Sequence, residues 1–252
     1  MKKLFINKSI LKNKFKYYLL KICPKGFSIN IELINNIKYN LKTNSKDKMV
    51  FKEVWLKNIY EKNKIVVEEG DLVIDIGAHV GIFSTYAAEL NKTGKIYAFE
   101  PFKDNFKRLE MHKEINCKKN INTYNLGVAD KKGSRTLFIS DKNTVSHSLY
   151  KPKNNSDKVE IKTIRLSEFC KKENINKIDF LKIDCEGAEF EILKADESLL
   201  KIVNKLVLEC HPFKDNNASF ILNLLEKYNF KVYKEPENIT DNDLQMIYAI
   251  KK

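Results

Sequence analysis

Residues 73–81 read VIDIGAHVG: an apolar run of strand length carries Asp75 near its end, Gly77 follows two places on, and Gly81 opens the next segment, GIFSTYAAELN, which has helical character. This strand, turn and helix is the first of a series. The runs KIYAFE (95–100), NINTYNL (120–126), IDFLKID (178–184) and KLVLECH (205–211) have strand length, and KDNFKRLEMHKEIN, EFEILKADESLL and ASFILNLLEKYN lie between or after them. Such alternation predicts an α/β fold, a doubly wound, mostly parallel sheet. FKVYKEP and QMIYAIKK follow with no helix between them, as in a terminal antiparallel hairpin. GSRTLFIS and KVEIKTIRL interrupt the rhythm as a β-insertion, joined by the polar loop DKNTVSHSLYKPKNNSD (141–157), long enough to reach over the sheet edge.

Working back from the turn, residues 1–64 read as a small extension and residues 65–252 as the main domain. Within residues 9–22, Leu11, Phe15, Tyr18, Leu19 and Ile22 recur at helical spacing with Lys12, Lys14, Lys16 and Lys21 between them. The expected helix packs this apolar stripe on the main domain or lids a site; peripheral contact with an anionic membrane is the alternative. FSINIELI and NIKYNLKT form a hairpin around Asn35 and Asn36, and VFKEVWLKNIYE, with the single tryptophan Trp55, reads as a helix.

The 252 residues carry a net charge of +13, which invites a nucleic-acid partner. Only Arg108, Arg135 and Arg165 are arginine, however, and the lysines are spread along the chain, so a solvated basic surface is the better reading. Cys23, Cys117, Cys170, Cys185 and Cys210 form no metal-ligand spacing and point to reduced thiols. No apolar run has the ~20 residues of a membrane span, and MKKLFINKSILKNKF has no continuous apolar stretch of the signal-peptide kind. The expectation is a cytoplasmic protein whose oligomeric state the sequence leaves open.

Ligands of doubly wound sheets bind beyond the carboxyl ends of the strands. Those ends carry Asp75, Glu100, Asn125, Asp184, and Glu209 with His211. Glu100, nineteen residues past Gly81, suits the two hydroxyls of a ribose, which NAD and S-adenosylmethionine both present. The dinucleotide fingerprint wants a glycine where His79 stands, and an acid before the turn repels a pyrophosphate but welcomes an ammonium and a sulfonium. Charge therefore favours the methyl donor.

The series DIGAHVGIFS, AFEP, NLGVADKKG, VSHSL, DFLKIDCEGAE and LECHP, in that order over residues 47–213, resembles the FkbM family of S-adenosylmethionine-dependent methyltransferases, IDCEGAE most specifically. The resemblance implies a seven-stranded Rossmann-like methyltransferase fold and O-methylation of hydroxyls on sugars or polyketides. It implies that Asp75, Gly77, Ala78, His79 and Gly81 hold the methionine end of the donor. Glu100 would then take the ribose, Phe102 would lie against the adenine and Asn125 near its edge. His79 replaces a small polar residue, and His147 a second serine, of the commoner pattern.

An alkyl hydroxyl needs a base. His211 is the first candidate, as an imidazole neutral at working pH, with Asp184 orienting hydroxyl or donor and Glu186 a further acceptor. Asp184, Glu186 and Glu189 would alternatively cap the helix EFEILK. Asp184, Glu186, Glu209 and His211 could also hold Mg or Mn, though the spacing does not compel it. The leading reading is an O-methyltransferase acting on a sugar or glycoconjugate hydroxyl. An RNA methyltransferase and a non-catalytic donor-binding partner protein are the alternatives.

Overall fold

The computed structural model describes residues 8–139, 157–212, 216–236 and 243–252. In chain order the strands are β1 (Ser28–Glu32), β2 (Lys38–Lys42), β3 (Leu72–Ile76), β4 (Lys95–Phe99), β5 (Ile121–Tyr124), β6 (Gly127–Val128), β7 (Gly133–Ile139), β8 (Asp157–Ile164), β9 (Ile178–Ile183), β10 (Val203–Cys210), β11 (Phe230–Glu235) and β12 (Gln245–Lys251). The helices are α1 (Lys14–Ile22), α2 (Asp47–Phe51), α3 (Ile82–Leu90), α4 (Lys103–Ile115), α5 (Leu166–Lys172), α6 (Glu189–Ala195) and α7 (Ala218–Lys227).

Seven strands form one sheet in the order β11-β12-β10-β9-β3-β4-β5. All neighbours from β10 to β5 are parallel, and β12 is antiparallel to both β10 and β11, which is the expected terminal hairpin. The insertion forms a separate sheet, β6-β8-β7. Its connecting loop, with Ser146 and His147, lies outside the described residues.

Alternate residues of the central strands feed two cores. Val73, Ala98, Phe180 and Val207 belong to one, with Phe83 and Ala87 of α3; Ile74, Phe99, Leu181 and Leu208 belong to the other, with Phe169 of α5 and Phe190 of α6. Strands covered on both faces read as continuous apolar runs, which is why they stand out in the sequence. The extension joins the first core through Tyr39, Phe51 and Tyr60.

Local departures from the sequence reading have physical causes. The KVEIKTIRL strand stops at Ile164, and Leu166 and Phe169 start α5, because burying those two side chains under β4 outweighs extending an edge. The helix expected around Trp55 begins earlier, at Asp47, whose buried carboxylate pairs with Arg108, and it widens into a π-helical turn at Lys52–Lys57. α1 starts at Lys14, capped by Asn13, because Leu11 leaves the helix to bridge Leu33. The expected stripe is also turned around: Tyr17 and Leu20 face inward, with Tyr17 against Phe51 at 5.8 Å, while Phe15, Tyr18 and Ile22 face out.

Gly77 sets how closely β3 and β9 end together. Its φ is +78°, and a Cβ there would sit 1.8 Å from the Asp184 carbonyl oxygen. Gly26 has φ +103° with open space around it. In urea denaturation Gly26→Ala should lose about 1 kcal/mol for backbone strain alone, and Gly77→Ala at least twice that.

Candidate donor and acceptor site

Asp75 and Lys182 are register neighbours on β3 and β9. Lys182 Nζ lies 2.9 Å from Asp75 Oδ1, and Ser84 Oγ donates to Asp75 Oδ2 at 2.6 Å. Both side chains are buried. Burial alone would lower the ammonium's pKa, but Asp75 and Asp184 outweigh it and raise it above the ordinary lysine value. Asp75 therefore does not present a bare charge to a ligand, and its sign cannot choose between donors as the sequence suggested. The group of this pair that lines the cavity is Lys182, which also donates to Gly77 O at 3.2 Å. A lysine inside the apolar run IDFLKID was the available signal, since such a lysine is fully buried only when paired.

The turn spends its own amides. Gly77 N and Ala78 N donate to Phe99 O at 3.1 and 2.9 Å, and His79 N donates to Glu100 Oε2 at 2.8 Å. No row of free N–H groups remains there for a pyrophosphate, a stronger argument than the acid's charge. Gly77, Ala78 and His79 line the cavity, whereas Gly81 packs against Leu109 and Asp75 lies behind the wall.

Glu100 lines the cavity with its carboxylate in place. Phe102 N donates to Oε1 at 2.9 Å, opposite the bond from His79, and burial pushes the pKa up to about 7 against those bonds. A buried acid so raised gains from two hydroxyl donors, so its chemistry fits a ribose. Phe102 and Asn125 are not part of the wall: Phe102 caps α4, and Asn125 donates to Glu100 O and Pro101 O at 2.9 and 3.0 Å. The apolar part of the wall beside Glu100 comes instead from Leu126, Val128, Leu137 and Ile161, partly on the inserted sheet.

Across β3 from Glu100, at the end of β9, the walls carry Asp184 and Glu186. Tyr60, from the extension, donates to Asp184 Oδ2 at 2.8 Å, and Lys182 Nζ lies over its ring at 5.2 Å from the centroid. Burial and the Asp184 charge hold the Tyr60 hydroxyl well above its ordinary pKa, so it remains a donor. Sequence reasoning missed Tyr60 because nothing local marks a tyrosine 124 positions from its partner.

Behind Asp184 stands His211. The fully buried Glu189 bonds its Nδ1 at 2.6 Å and its backbone N at 3.1 Å, while Nε2 lies 3.7 Å from Glu186 and from Glu209. Burial would lower the imidazole's pKa, but Glu189, Asp184 and Glu186 raise it to about 10. This corrects the expectation of a neutral histidine base: surrounded by carboxylates, the ring is an imidazolium at neutral pH. Burial and the Asp184 charge push Glu209 up to about 8. Among the described residues, Asp184, Glu209 and His211 each offer a donor atom within 4.8 Å of the others, a set able to hold a divalent cation. Glu186 is outside that set.

The Glu100 carboxylate gives the donor a pH signature. Its raised pKa means the acid is protonated below about 7 in the free protein and ionised above it. Affinity for a ribose-bearing donor, measured by calorimetry with S-adenosylmethionine, should be full above that pH. Below it the Kd should rise by about tenfold per unit, and Glu100→Gln should flatten the profile.

The family model for the methyltransferase FkbM domain matches residues 75–232. Methyltransferase 1 of Beauveria bassiana is 24% identical over 223 residues, covering 81% of this chain and 88% of its own. The hexuronic acid methyltransferase AglP of Haloferax volcanii is 27% identical over 144 residues, 57% of either chain. Among solved structures, the putative methyltransferase SMU.1697c of Streptococcus mutans in complex with SAH superposes at TM-score 0.47 and 14% identity, over 74% of this chain and 92% of that one. With the matched span, residues 75–232, covering more than half of its length, the chain belongs to the FkbM family of S-adenosylmethionine-dependent methyltransferases.

Proposed function

We propose that the enzyme methylates a hydroxyl of a sugar or glycoconjugate. The observation that carries this reading is the pairing of two walls: Glu100 and an apolar surface on one side of the cavity, Asp184 backed by Glu209 and His211 on the other. The name of the Haloferax relative, a hexuronic acid methyltransferase, supports a sugar acceptor.

Bound S-adenosylmethionine supplies an electrophilic methyl group. Held by the turn of Gly77, Ala78 and His79 and by Glu100, it would present that carbon to the acceptor oxygen, with the thioether as leaving group. The hydroxyl proton must go to the protein. Asp184 faces the cavity with one oxygen engaged by Tyr60, so its other oxygen takes the acceptor's hydrogen bond. Glu209 has a donor oxygen within 4.8 Å of Asp184, burial and the Asp184 charge push its carboxyl up to about 8, and once ionised it takes the proton. The His211 imidazolium, fixed by Glu189, stabilises the ionised Glu209. Tyr60 and Val50 bring the extension into the cavity wall, so residues 1–64 act as the cap on the acceptor side.

Because the Glu209 pKa is raised to about 8, its carboxyl is protonated below that pH. Turnover should therefore rise through about 8 instead of levelling near 6.5, where an ordinary histidine would place it. Glu209→Gln should remove this limb and lower kcat by about 10²-fold or more, with donor binding unchanged. Initial rates across pH check this, and excess EDTA should leave them unaltered; loss restored by Mn would place a cation among these donors.

Transfer of labelled methyl from the donor to fractionated glycan, lipid and RNA identifies the acceptor class. Label in a glycan or glycolipid is expected, and label confined to RNA would overturn the sugar assignment.

A further inference from the structure

The outward face of α1 is unusual for a protein surface. Phe15, Tyr18 and Ile22 are 67%, 49% and 70% exposed, and Phe27, just beyond the helix, is 61% exposed. At 3.6 residues per turn the three helix positions fall within about 60° of arc. Lys14 and Lys21 flank them on one side and Lys16 on the other, all exposed, with Lys25 beside Phe27. Tyr17 and Leu20 occupy the opposite arc and anchor the helix to the body of the protein. The sequence adds a charge asymmetry: eight lysines and no acid precede Glu32.

We propose that this face docks on a lipid bilayer rich in anionic headgroups, Phe15, Tyr18, Ile22 and Phe27 entering the interface and the flanking lysines meeting the phosphates. An apolar centre with cations along its edges is the arrangement an interfacial helix needs, because long lysine side chains keep their ammonium groups at headgroup level while the rings go deeper. The charge decides among occupants. A second copy using the same face would set its lysines against ours, and like charges oppose such an isologous contact. RNA bases stack on rings but would leave Ile22 without a partner, and no arginine lies in α1 or the preceding residues to read phosphate bidentately. α1 is held to α2 through Tyr17 and Phe51, and Val50 of α2 lines the cavity, so docking brings the cavity wall to within one helix of the bilayer. Docking itself is independent of which hydroxyl is methylated.

The test is co-sedimentation of the full chain with unilamellar vesicles of phosphatidylcholine alone or mixed with phosphatidylglycerol. Binding should require the anionic lipid and weaken with salt. Lys14→Gln and Lys21→Gln should each reduce it about fivefold, the equivalent of ~1 kcal/mol per basic residue at such a surface. Phe15→Glu with Ile22→Glu should abolish it while leaving S-adenosylmethionine binding and thermal melting as in the wild type. As a second measure, the added fluorescence of Phe15→Trp should shift to the blue only with anionic vesicles. Equal binding to neutral vesicles, no binding to either, or binding that survives the double glutamate variant would overturn the proposal. So would light scattering that showed a dimer dissolved by Ile22→Glu in a protein that ignores vesicles, or RNA binding that persists in the double glutamate variant without vesicle binding.

Discussion

The buried pair of Lys182 and Asp75 is the contact on which the site depends. It joins the two central strands near their carboxyl ends, where the glycine turn leaves β3 and the carboxylate cluster begins after β9. Lys182 also reaches Gly77 O and lies 3.8 Å from Asp184, so one ammonium ties the turn, the strand and the cluster together. Two charges taken from water in this way gain little net stability, yet removing either partner leaves the other uncompensated, typically at about 3–5 kcal/mol. The pair works as a positional constraint more than as a source of stability. Gly77 completes it, because only a residue without a Cβ lets the turn lie on the Asp184 carbonyl.

Around that constraint the site divides by charge. At the Glu100 end a single buried carboxylate is held by backbone amides, and its burial raises its pKa against those bonds. At the other end Asp184, Glu186, Glu189 and Glu209 crowd one histidine, which responds by holding its proton. The two ends have opposite needs, hydroxyl donors at one and a place for a proton at the other, which is what the proposed reaction asks of a donor end and an acceptor end. The lysine-rich outer helix stands apart from this chemistry and belongs to a different surface.

The periodic elements were legible because their cause is local. Strands covered on both faces must be apolar throughout, so LVIDI, KIYAFE and IDFLKID declared the parallel sheet, and the absence of a helix between FKVYKEP and QMIYAIKK declared the hairpin. Polar residues at the strand ends marked the functional edge, since only there can an ionisable group leave the core. α5 was not legible: IRLSEFC suits either an edge strand or a short helix, and the choice rests on where Leu166 and Phe169 find cover.

The sequence by itself determined the fold class, the family and the set of ionisable residues gathered at the carboxyl edge, because patterning and motif order are properties of the chain. What each of those residues does was decided by tertiary structure. Asp75 became a buried partner of Lys182, Phe102 and Asn125 became supports for the end of β4, His211 became a cation, and the apolar stripe of α1 turned outward. Charge state, hydrogen-bond partner and exposure depend on neighbours brought from far along the chain, such as Tyr60 at Asp184, and no local pattern encodes them.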